Sequence, residues 1–423
     1  MAFMRADILL PKFAKDAEKM NKWSVVACDQ YTSEPDYWNK VKEITEKQYS
    51  TLYVTVPEIY LNDKDIEERI KNTNATMDKY MAEGVFDEYK NSYIFVERTL
   101  RNGVKRLGIV GVVDLEEYDF NKGSKAKIRA TEGTVVSRIP PRLKVRQDAP
   151  IELPHIMLLI DDKDCDIIEC NEKLTDTFQK VYDFDMMQNS GHITGYKLSD
   201  EAADALDKKL AALSDLDAFN KKYGVNESSP LVYAMGDGNH SLATAKTYYE
   251  NLKKEIGDKA KETPARYALC ELVNLHDKSL VFEAIHRVIF EADGEAFLKK
   301  LESEYTVNYD ENAEGQTFVL VLGGGEKKTV TITNPTEYLT VATVQKALDE
   351  FVAEKGGEVD YIHGEDVVES LCENKNNFGI ILEAMDKADL YKSVILDGAL
   401  PRKTFSMGDA CDKRFYTEAR KIK

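Results

Sequence analysis

The chain has 423 residues, of which 43% are hydrophobic and 31% are charged, and its formal net charge at pH 7 is -18. This length allows two or three lobes with a sizeable core, and the composition is typical of a soluble globular protein. A surface this acidic repels phosphate backbones, so we expect no nucleic acid partner. A local basic pocket for one small anion remains compatible with it.

Features of secretion and of membrane insertion are missing from the sequence. The N-terminal stretch MAFMRADILLPKF has only a short apolar patch, and no apolar run reaches the roughly 18 residues that span a bilayer. The six cysteines form no Cys-x-x-Cys pair. They are too sparse for a disulfide framework and wrongly spaced for a zinc ribbon. We therefore expect a cytoplasmic protein with no membrane partner and with reduced cysteines.

Helices and strands alternate in the N-terminal half. SEPDYWNKVKEITEKQYS predicts a helix, and DKDIEERIKNTNATMDKYMAEG predicts a longer amphipathic helix that ends at Gly84. The strands SYIFVERTL and KRLGIVGVVDLEEY flank Arg101-Asn102-Gly103. This turn predicts a hairpin, because Asn and Gly tolerate a positive φ. PHIMLLIDD predicts a further buried strand.

The C-terminal half continues the mixture. Residues 199–223 predict charged helices, and ARYALCELVNL and LVFEAIHRVIF are apolar enough for central strands. TFVLVLGGGEKKTVTIT predicts a hairpin, and the last hundred residues alternate helix and strand. We predict a mixed α/β (α+β) protein. No linker marks a boundary, and we expect an N-terminal region 1–195 and a C-terminal region 196–423 around one shared cleft.

One polar stretch between two apolar elements stands out. In VYAMGDGNHSLATAK a predicted strand stops at residues 236–241, here called the 236–241 loop, and a predicted helix begins near Leu242. A helix N-terminus attracts anions, and glycines before it allow close approach of a phosphate. Asn239, His240 and Ser241 add polar side chains. These features predict an anion cradle.

The acid in this loop needs a separate explanation, because a carboxylate repels a bare phosphate. The carboxylate of Asp237 has a function in this loop if it binds Mg²⁺, or if it accepts a proton from a hydroxyl that attacks phosphorus. In the alternative interpretation, Asp237 and Asn239 satisfy the backbone of an ordinary βα turn and Ser241 caps the helix. The loop alone leaves both interpretations open.

The stretch MGDGNHSLATA resembles the ADGHHRYETA signature of the domain of unknown function 1015 family, and other family motifs follow in order. VVDLEEYDFNKGSKAKIRATEGTVVSRIPPRL places Glu132, Thr134 and Arg138 on one of them. LVFEAIHRVI carries His286 and Arg287, YIHG spans residues 361–364, and GALPRKTFSMG includes Lys403 and Thr404. Because these matches span nearly the whole chain, the sequence is identified as a member of this family.

The Asp-Gly-His-His-Arg loop of that family is similar to the phosphate-binding loop of the ParB/sulfiredoxin superfamily. That superfamily includes nucleotide-binding ParB, ATP-using sulfiredoxin and an ADP-dependent kinase that acts on free serine. The resemblance implies a ParB/sulfiredoxin-like strand-loop-helix core within a larger mixed-sheet protein. It also implies Mg²⁺ with ATP or ADP, and phosphoryl transfer to a small hydroxylated metabolite such as a free amino acid.

The loop argument and the resemblance together imply roles for individual residues. Glu132 is the expected base, with Asp237 and His240 as the other catalytic candidates. Thr134 and His286 are expected to bind substrate. Nucleotide or phosphate binding is expected from Gly236, Gly238, Asn239, Ser241, Arg138, Arg287, Lys403 and Thr404.

The chain departs from the family pattern at three positions. Asn239 replaces the first histidine of the loop, Ser241 replaces its arginine, and Thr131 replaces the histidine before Glu132. Loss of the arginine removes a bidentate phosphate clamp. Lys403 and one of Arg138, Arg287 or Arg402 are expected to replace it in part. These departures motivate an alternative function, a nucleotide-binding or sensing protein without catalysis.

Several candidates also have a purely structural interpretation. Glu132 would cap a turn or pair with Arg129, His286 would be a satisfied core histidine, and Lys403 with Thr404 would form a solvated turn. The histidines show no His-x-x-x-His spacing, so we predict no tightly bound zinc. The sequence indicates no other metal ligand set and no oligomeric state.

The segment VACDQYTSEPDYW has two interpretations as well. We interpret it first as a helix-capping loop. In the alternative, Asp29 and Tyr31 line the same cleft as the 236–241 loop.

Overall fold

The computed structural model describes residues 1–153, 155–310 and 312–423, so Pro154 of the predicted strand PHIMLLIDD lies outside them. The chain folds into two compact units. The first comprises Met1–Ala130, Thr134–Leu280 and Gly408–Lys423, and the second comprises Thr131–Gly133 and Val281–Met407. Both segments of the second unit are therefore insertions in the sequence of the first.

The first unit combines helices with a large mixed sheet. Its helices are α1 (Ala17–Trp23), α2 (Pro35–Thr45), α3 (Ile66–Ala82), α4 (Ile139–Gln147), α5 (Asp200–Ala212), α6 (Leu216–Tyr223) and α7 (Asn239–Ile256). Its strands before the second unit are β1 (Phe3–Met4), β2 (Ala6–Pro11), β3 (Val25–Val26), β4 (Phe86–Ser92), β5 (Ile94–Thr99), β6 (Lys105–Asp114), β7 (Tyr118–Asp119), β8 (Ile128–Arg129), β9 (Ile151–Glu152), β10 (Met157–Ile160), β11 (Gln179–Asp185), β12 (His192–Lys197), β13 (Tyr233–Asp237) and β14 (Tyr267–Asn274).

Ten of these strands form one sheet in the order β11-β12-β5-β6-β14-β10-β13-β8-β7, with β1 also paired to β6. The pairs β10/β14, β13/β8 and β7/β8 are parallel, and the other pairs are antiparallel. The predicted hairpin is confirmed as β5/β6, with Gly103 at φ 83° in its turn. The boundary expected between residues 195 and 196 falls inside β12, so both predicted regions contribute to this sheet.

Both faces of the sheet are covered. Consecutive strand residues point to opposite faces, and in β6 Ile109 and Val110 accordingly belong to two different apolar clusters. Ile109 packs in the cluster that contains residues of α5 and α7, such as Leu206. Val110 packs in the cluster that contains Trp23 of α1 and residues of α2 and α3. This double coverage explains why β6 is an almost continuous apolar run.

The second unit has its own sheet and core. Its strands are β15 (Phe282–Ala284), β16 (His286–Phe290), β17 (Val307–Asn308), β18 (Gln316–Val321), β19 (Lys327–Ile332), β20 (Glu358–Ile362), β21 (Phe378–Ile381) and β22 (Phe405–Met407). Its helices are α8 (Gly294–Glu304), α9 (Thr340–Lys355), α10 (Glu365–Cys372) and α11 (Asp389–Leu396). Six strands form an antiparallel sheet in the order β17-β19-β18-β21-β16-β20. One apolar cluster joins α8 and α9 to strand residues such as Ile380 of β21. A second cluster joins Val368 of α10 to Val288 of β16 and Val321 of β18.

After the second unit, the chain returns to the first. Here β23 (Phe415–Tyr416) pairs with β3, and β24 (Arg420–Lys421) pairs with β9. We call residues 408–423 the return segment. Helices and mixed sheets together make the protein an α/β protein of the mixed α+β type, as predicted.

Within the part of the chain that the structure describes, none of the helices combines the length and the apolar character needed to cross a bilayer. All six cysteines are free thiols, as the sequence predicted.

Candidate functional site

The 236–241 loop lies between β13 and α7 of the first unit. Gly238 is the N-cap of α7 and has left-handed backbone angles, φ 79° and ψ 27°. A Cβ atom there would lie 3.0 Å from Cα of Ile156, so both the conformation and the space require glycine. Helix α7 begins at Asn239 rather than near Leu242 as predicted, because the turn is completed at Gly238 and the polar residues already form the first helical turn.

The first turn of α7 has free backbone donors. Leu242 N donates to Gly238 O, which begins the helical pattern, so the N–H groups of residues 239–241 have no partner within the helix. No side chain caps this helix, and the alternative in which Ser241 is the cap is therefore wrong. The N–H group of Gly238, which was expected to face the anion, instead donates to Oδ1 of Asp237 at 2.8 Å.

Asp237 is engaged on both oxygens. Oδ1 accepts from Gly238, as the ordinary-turn interpretation predicted, and Oδ2 lies 3.3 Å from Nζ of Lys413 in the return segment. Lys413 thus places a cation beside this oxygen, and a Mg²⁺ ion would have to compete with it. The carboxylate is a less favourable metal ligand while this ion pair is in place.

A buried histidine lies beneath the first turn. His155 is 4% exposed, and its Nε2 atom is 3.3 Å from Oγ of Ser241 and 3.2 Å from Oδ2 of Asp29. Its Nδ1 atom is 2.9 Å from Oη of Tyr416. Burial alone would lower the pKa of His155, but the charge of Asp29, its hydrogen bond and the charges of Asp237 and Glu58 outweigh it and raise the pKa. These contacts place Asp29, as the cleft-lining interpretation proposed, beside the 236–241 loop.

His240 has the opposite electrostatic environment. Burial, together with the nearby cations Arg142 and Arg138, lowers its pKa to about 4. Its Nε2 atom, like Oδ1 of Asn239, is buried and has no hydrogen-bond partner among the described residues. At neutral pH the ring is therefore an uncharged polar group beside two arginines.

These arginines come from the segment around α4, which packs against α7. Arg138, Arg142 and Arg146 are spaced four residues apart, so they follow one face of the helix. Arg142 Nη1 donates to Arg138 O at 2.5 Å, and its Nη2 pairs with Glu58. The sequence signal for this cluster is the arginine spacing in RIPPRLKVR, which our sequence analysis did not use beyond Arg138.

A cavity of about 150 Å³ opens beside this turn, within the first unit. Arg142, Arg146, Ser241 and Thr244 line it, as do His155 and Tyr416. Much of the remaining wall is aliphatic, with Val54, Val56, Met77, Val145, Ile151 and Leu153.

The predicted site residues divide between the two units. The 236–241 loop, Arg138 and Thr134 belong to the first unit, and Oγ1 of Thr134 is buried without a hydrogen-bond partner among the described residues. Glu132, His286, Arg287, Lys403 and Thr404 all belong to the second unit.

Within the second unit, the Glu132 motif and the 400–404 turn are joined through their backbones. Glu132 and Leu400 form a parallel β-bridge, and Leu400 N donates to Thr131 O at 2.7 Å. Lys403 has φ 57°, in the left-handed region, and the buried Thr404 donates its hydroxyl to Pro401 O at 2.8 Å. Two motifs far apart in sequence therefore meet in one place.

The side chains of the IHR motif are buried in the same unit. Arg287 is fully buried and donates to Gln345 Oε1 at 3.1 Å, to Lys403 O at 3.1 Å and to Ile285 O. Burial lowers its pKa to about 10. His286 accepts a hydrogen bond from Leu382 N through Nδ1 at 3.2 Å, as a satisfied core histidine would. Arg287 thus supports the 400–404 turn.

Comparison with known proteins identifies the family. Residues 9–351 match the model of the family described as "Protein of unknown function (DUF1015)". The chain belongs to this family, as its motifs predicted. A search among curated proteins finds no match.

Several solved structures resemble parts of the fold at low identity. A conserved hypothetical protein from Pyrococcus furiosus is 13% identical, with a TM-score of 0.37, over 72% of this chain and 92% of that one. A free serine kinase in complex with AMP is 12% identical, with a TM-score of 0.39, over 74% of this chain and 91% of its own. SbnI from Staphylococcus aureus, truncated at its C-terminus, is 7% identical, with a TM-score of 0.37, over 71% and 82%.

Proposed function

We propose that the protein binds a nucleoside di- or triphosphate at the first turn of α7 and transfers a phosphoryl group to a small hydroxylated metabolite. A free amino acid such as serine is the acceptor that the motif resemblance suggests. The proposal is supported above all by the uncapped first turn of α7, with its neutral His240 beside two arginines.

The charges around this turn favour an anion. The N-terminus of an 18-residue helix carries about half a positive charge. Arg138 and Arg142 add positive potential, with Arg142 partly neutralised by Glu58, and His155 beneath the turn has a raised pKa through its pairing with Asp29. The unpartnered Nε2 atom of His240 supplies one further polar contact. A terminal phosphate would satisfy these groups together.

Phosphoryl transfer demands mainly positioning and charge neutralisation, for which these groups are chemically suited. Mg²⁺ would arrive on the nucleotide phosphates, where it usually keeps several waters, and Lys413 would neutralise Asp237. Glu132 is proposed as the base toward the acceptor hydroxyl, through the motif resemblance alone.

A second function is nucleotide binding or sensing without catalysis. Two observations favour it: Asp237 is engaged by Gly238 and Lys413, and Ser241 stands where the family has arginine. It predicts nucleotide binding without turnover.

Calorimetry with ATP, ADP and CTP tests binding, and ³¹P NMR of the same mixtures with Mg²⁺ and a metabolite pool that includes serine tests transfer. Binding with transfer supports the kinase, and binding alone supports the sensor. Ser241→Asp places a negative charge at the third position of α7 and is expected to abolish binding. Ala218→Asp is the matched control, because exposed Ala218 occupies the third position of α6. Wild-type protein that binds no nucleotide would contradict both functions.

A further inference from the structure

We infer that the cavity beside the first turn of α7 holds a ring of the nucleobase, and that Glu152 and Arg146 recognise a base that carries an amine next to an acceptor nitrogen. This inference rests on the proposed function and adds the identity of the ligand's uncharged part.

The size and lining of the cavity fit one ring. Its volume is about 150 Å³, and an apolar cavity of about that size holds benzene. Val54, Met77 and Ile151 provide aliphatic contacts for the faces of a ring. Arg142 and Arg146 lie in the wall as well, but the aliphatic part offers nothing to a second phosphate group and fits the uncharged end of a ligand best.

The cavity is continuous with the proposed phosphate site. Ser241 lies in the first turn of α7 and also lines the cavity, and Thr244 lines it one turn further along. A ligand whose phosphate contacts the N–H groups of residues 239–241 therefore has the cavity directly beside it.

One buried ion pair in the cavity wall is incompletely hydrogen-bonded. Glu152 is 6% exposed, and its Oε1 atom is fixed by Leu269 N at 2.9 Å and by Arg420 Nε at 2.8 Å. Its Oε2 atom forms an ion pair with Nη2 of Arg146 at 2.7 Å, while Nε of Arg146 has no hydrogen-bond partner among the described residues. A buried N–H group is normally hydrogen-bonded, so Arg146 retains a donor at Nε, beside a carboxylate oxygen of Glu152 that can accept a second hydrogen bond.

An amine next to a ring nitrogen complements this pair. Glu152 would accept from the amine, and Arg146 would donate to the nitrogen. Adenine and cytosine have this edge. Hypoxanthine and uracil replace the amine with a carbonyl, which would face the carboxylate oxygen and leave it unsatisfied.

Calorimetry with ADP, IDP, CDP, UDP and inorganic pyrophosphate tests the inference. Wild-type protein should bind ADP at least tenfold more tightly than IDP, and CDP at least tenfold more tightly than UDP. Val145→Phe fills the cavity from α4 and should weaken ADP binding at least tenfold while leaving pyrophosphate binding unchanged. Val367→Phe, at an exposed valine of α10, is the matched control and should change neither.

Glu152→Gln should reduce the preference for ADP over IDP. If Glu152→Gln does not fold because Glu152 is buried, Val145→Phe still tests the inference. Equal ADP affinity in Val145→Phe and wild-type protein would overturn the inference. So would wild-type protein that binds ADP and IDP equally well, and CDP and UDP equally well. Either result would leave the proposed phosphate site unaffected. Wild-type protein that binds neither pyrophosphate nor any nucleotide would overturn the proposed function and this inference with it.

Discussion

Nζ of Lys413 lies 3.3 Å from Oδ2 of Asp237, so a cation from the return segment neutralises the acid of the 236–241 loop. The proposed anion cradle therefore includes a compensating charge that comes from outside the loop. Removing either partner changes the net charge that a bound phosphate meets.

Asp237→Asn is expected to strengthen nucleotide binding about three- to tenfold, in the range of about 0.5–1.5 kcal/mol for a partly exposed charge. It removes a repelling carboxylate and releases the Lys413 ammonium. Lys413→Met should weaken binding by a similar factor. Titration calorimetry with ADP measures both, and weaker binding by Asp237→Asn would contradict the proposed placement of the anion.

His155 makes the stability of the fold depend on pH. Its pKa is raised in the folded state, against the lowering effect of burial, by Asp29 and its other acidic neighbours. The folded state therefore holds the proton more tightly than the unfolded state. The resulting stabilisation is fully present below about pH 6.5, the unfolded pKa, and it is lost as pH rises through the folded pKa.

Urea denaturation of wild-type protein and of His155→Gln across this range measures the effect. The difference in their free energies of unfolding should shrink as pH rises. A difference that grows with pH would show that His155 is neutral in the folded protein.

His240 should report phosphate binding directly. Its pKa of about 4, set by burial and by Arg142 and Arg138, should rise when an anion adds negative charge beside the ring. By linkage, pyrophosphate affinity should then increase as pH falls toward the bound-state pKa. NMR titration of the His240 imidazole with and without pyrophosphate measures this, with His276, which pairs with Asp161, as an internal control.

Glu132→Gln is expected to preserve nucleotide binding and to abolish phosphoryl transfer, because the amide cannot accept the proton of the acceptor hydroxyl. Glu283→Gln changes an exposed glutamate of the same unit and should leave transfer unchanged. Single-turnover assays with Mg²⁺ and ³¹P detection compare the two variants. Full transfer by Glu132→Gln would remove Glu132 from the mechanism.

Arg287→Ala is expected to destabilise the protein by about 2–4 kcal/mol, because it leaves buried carbonyl groups without their charged donor. Arg287→Lys should be intermediate, since an ammonium keeps the charge and loses the planar fork. Arg402→Ala, at an exposed neighbouring arginine, should stay within about 0.5 kcal/mol of wild type. Chemical denaturation provides the measurement, and an Arg287→Ala variant as stable as Arg402→Ala would refute a supporting role.

Most of the fold was predictable from local sequence patterns. The β5/β6 hairpin, α9 and the strand before the 236–241 loop were predictable because turn residues and periodicity act over a few positions. The start of α7 was misplaced because Asn239, His240 and Ser241 are polar and fit a loop as well as a first turn. Only the backbone angles of Gly238 distinguish the two.

The surroundings of the loop were not predictable in the same way. His155 and Tyr416 reach it from segments distant in sequence, and nothing in their local patterns marks them as neighbours of Ser241. Arg287 is the opposite case, because the sequence marks the residue but not its surroundings. Its motif suggested phosphate binding, but its burial and its bonds to backbone carbonyls depend on a tertiary environment that a motif does not describe.

The return segment also determines when the proposed anion site can be complete during synthesis. A ribosome-bound chain that has been translated only as far as Met407 contains the whole inserted unit but lacks Lys413, Tyr416 and the strands β23 and β24. The first unit, which begins the chain, is therefore completed only by the residues that are translated last, and the proposed anion site lacks Lys413 and Tyr416 until then.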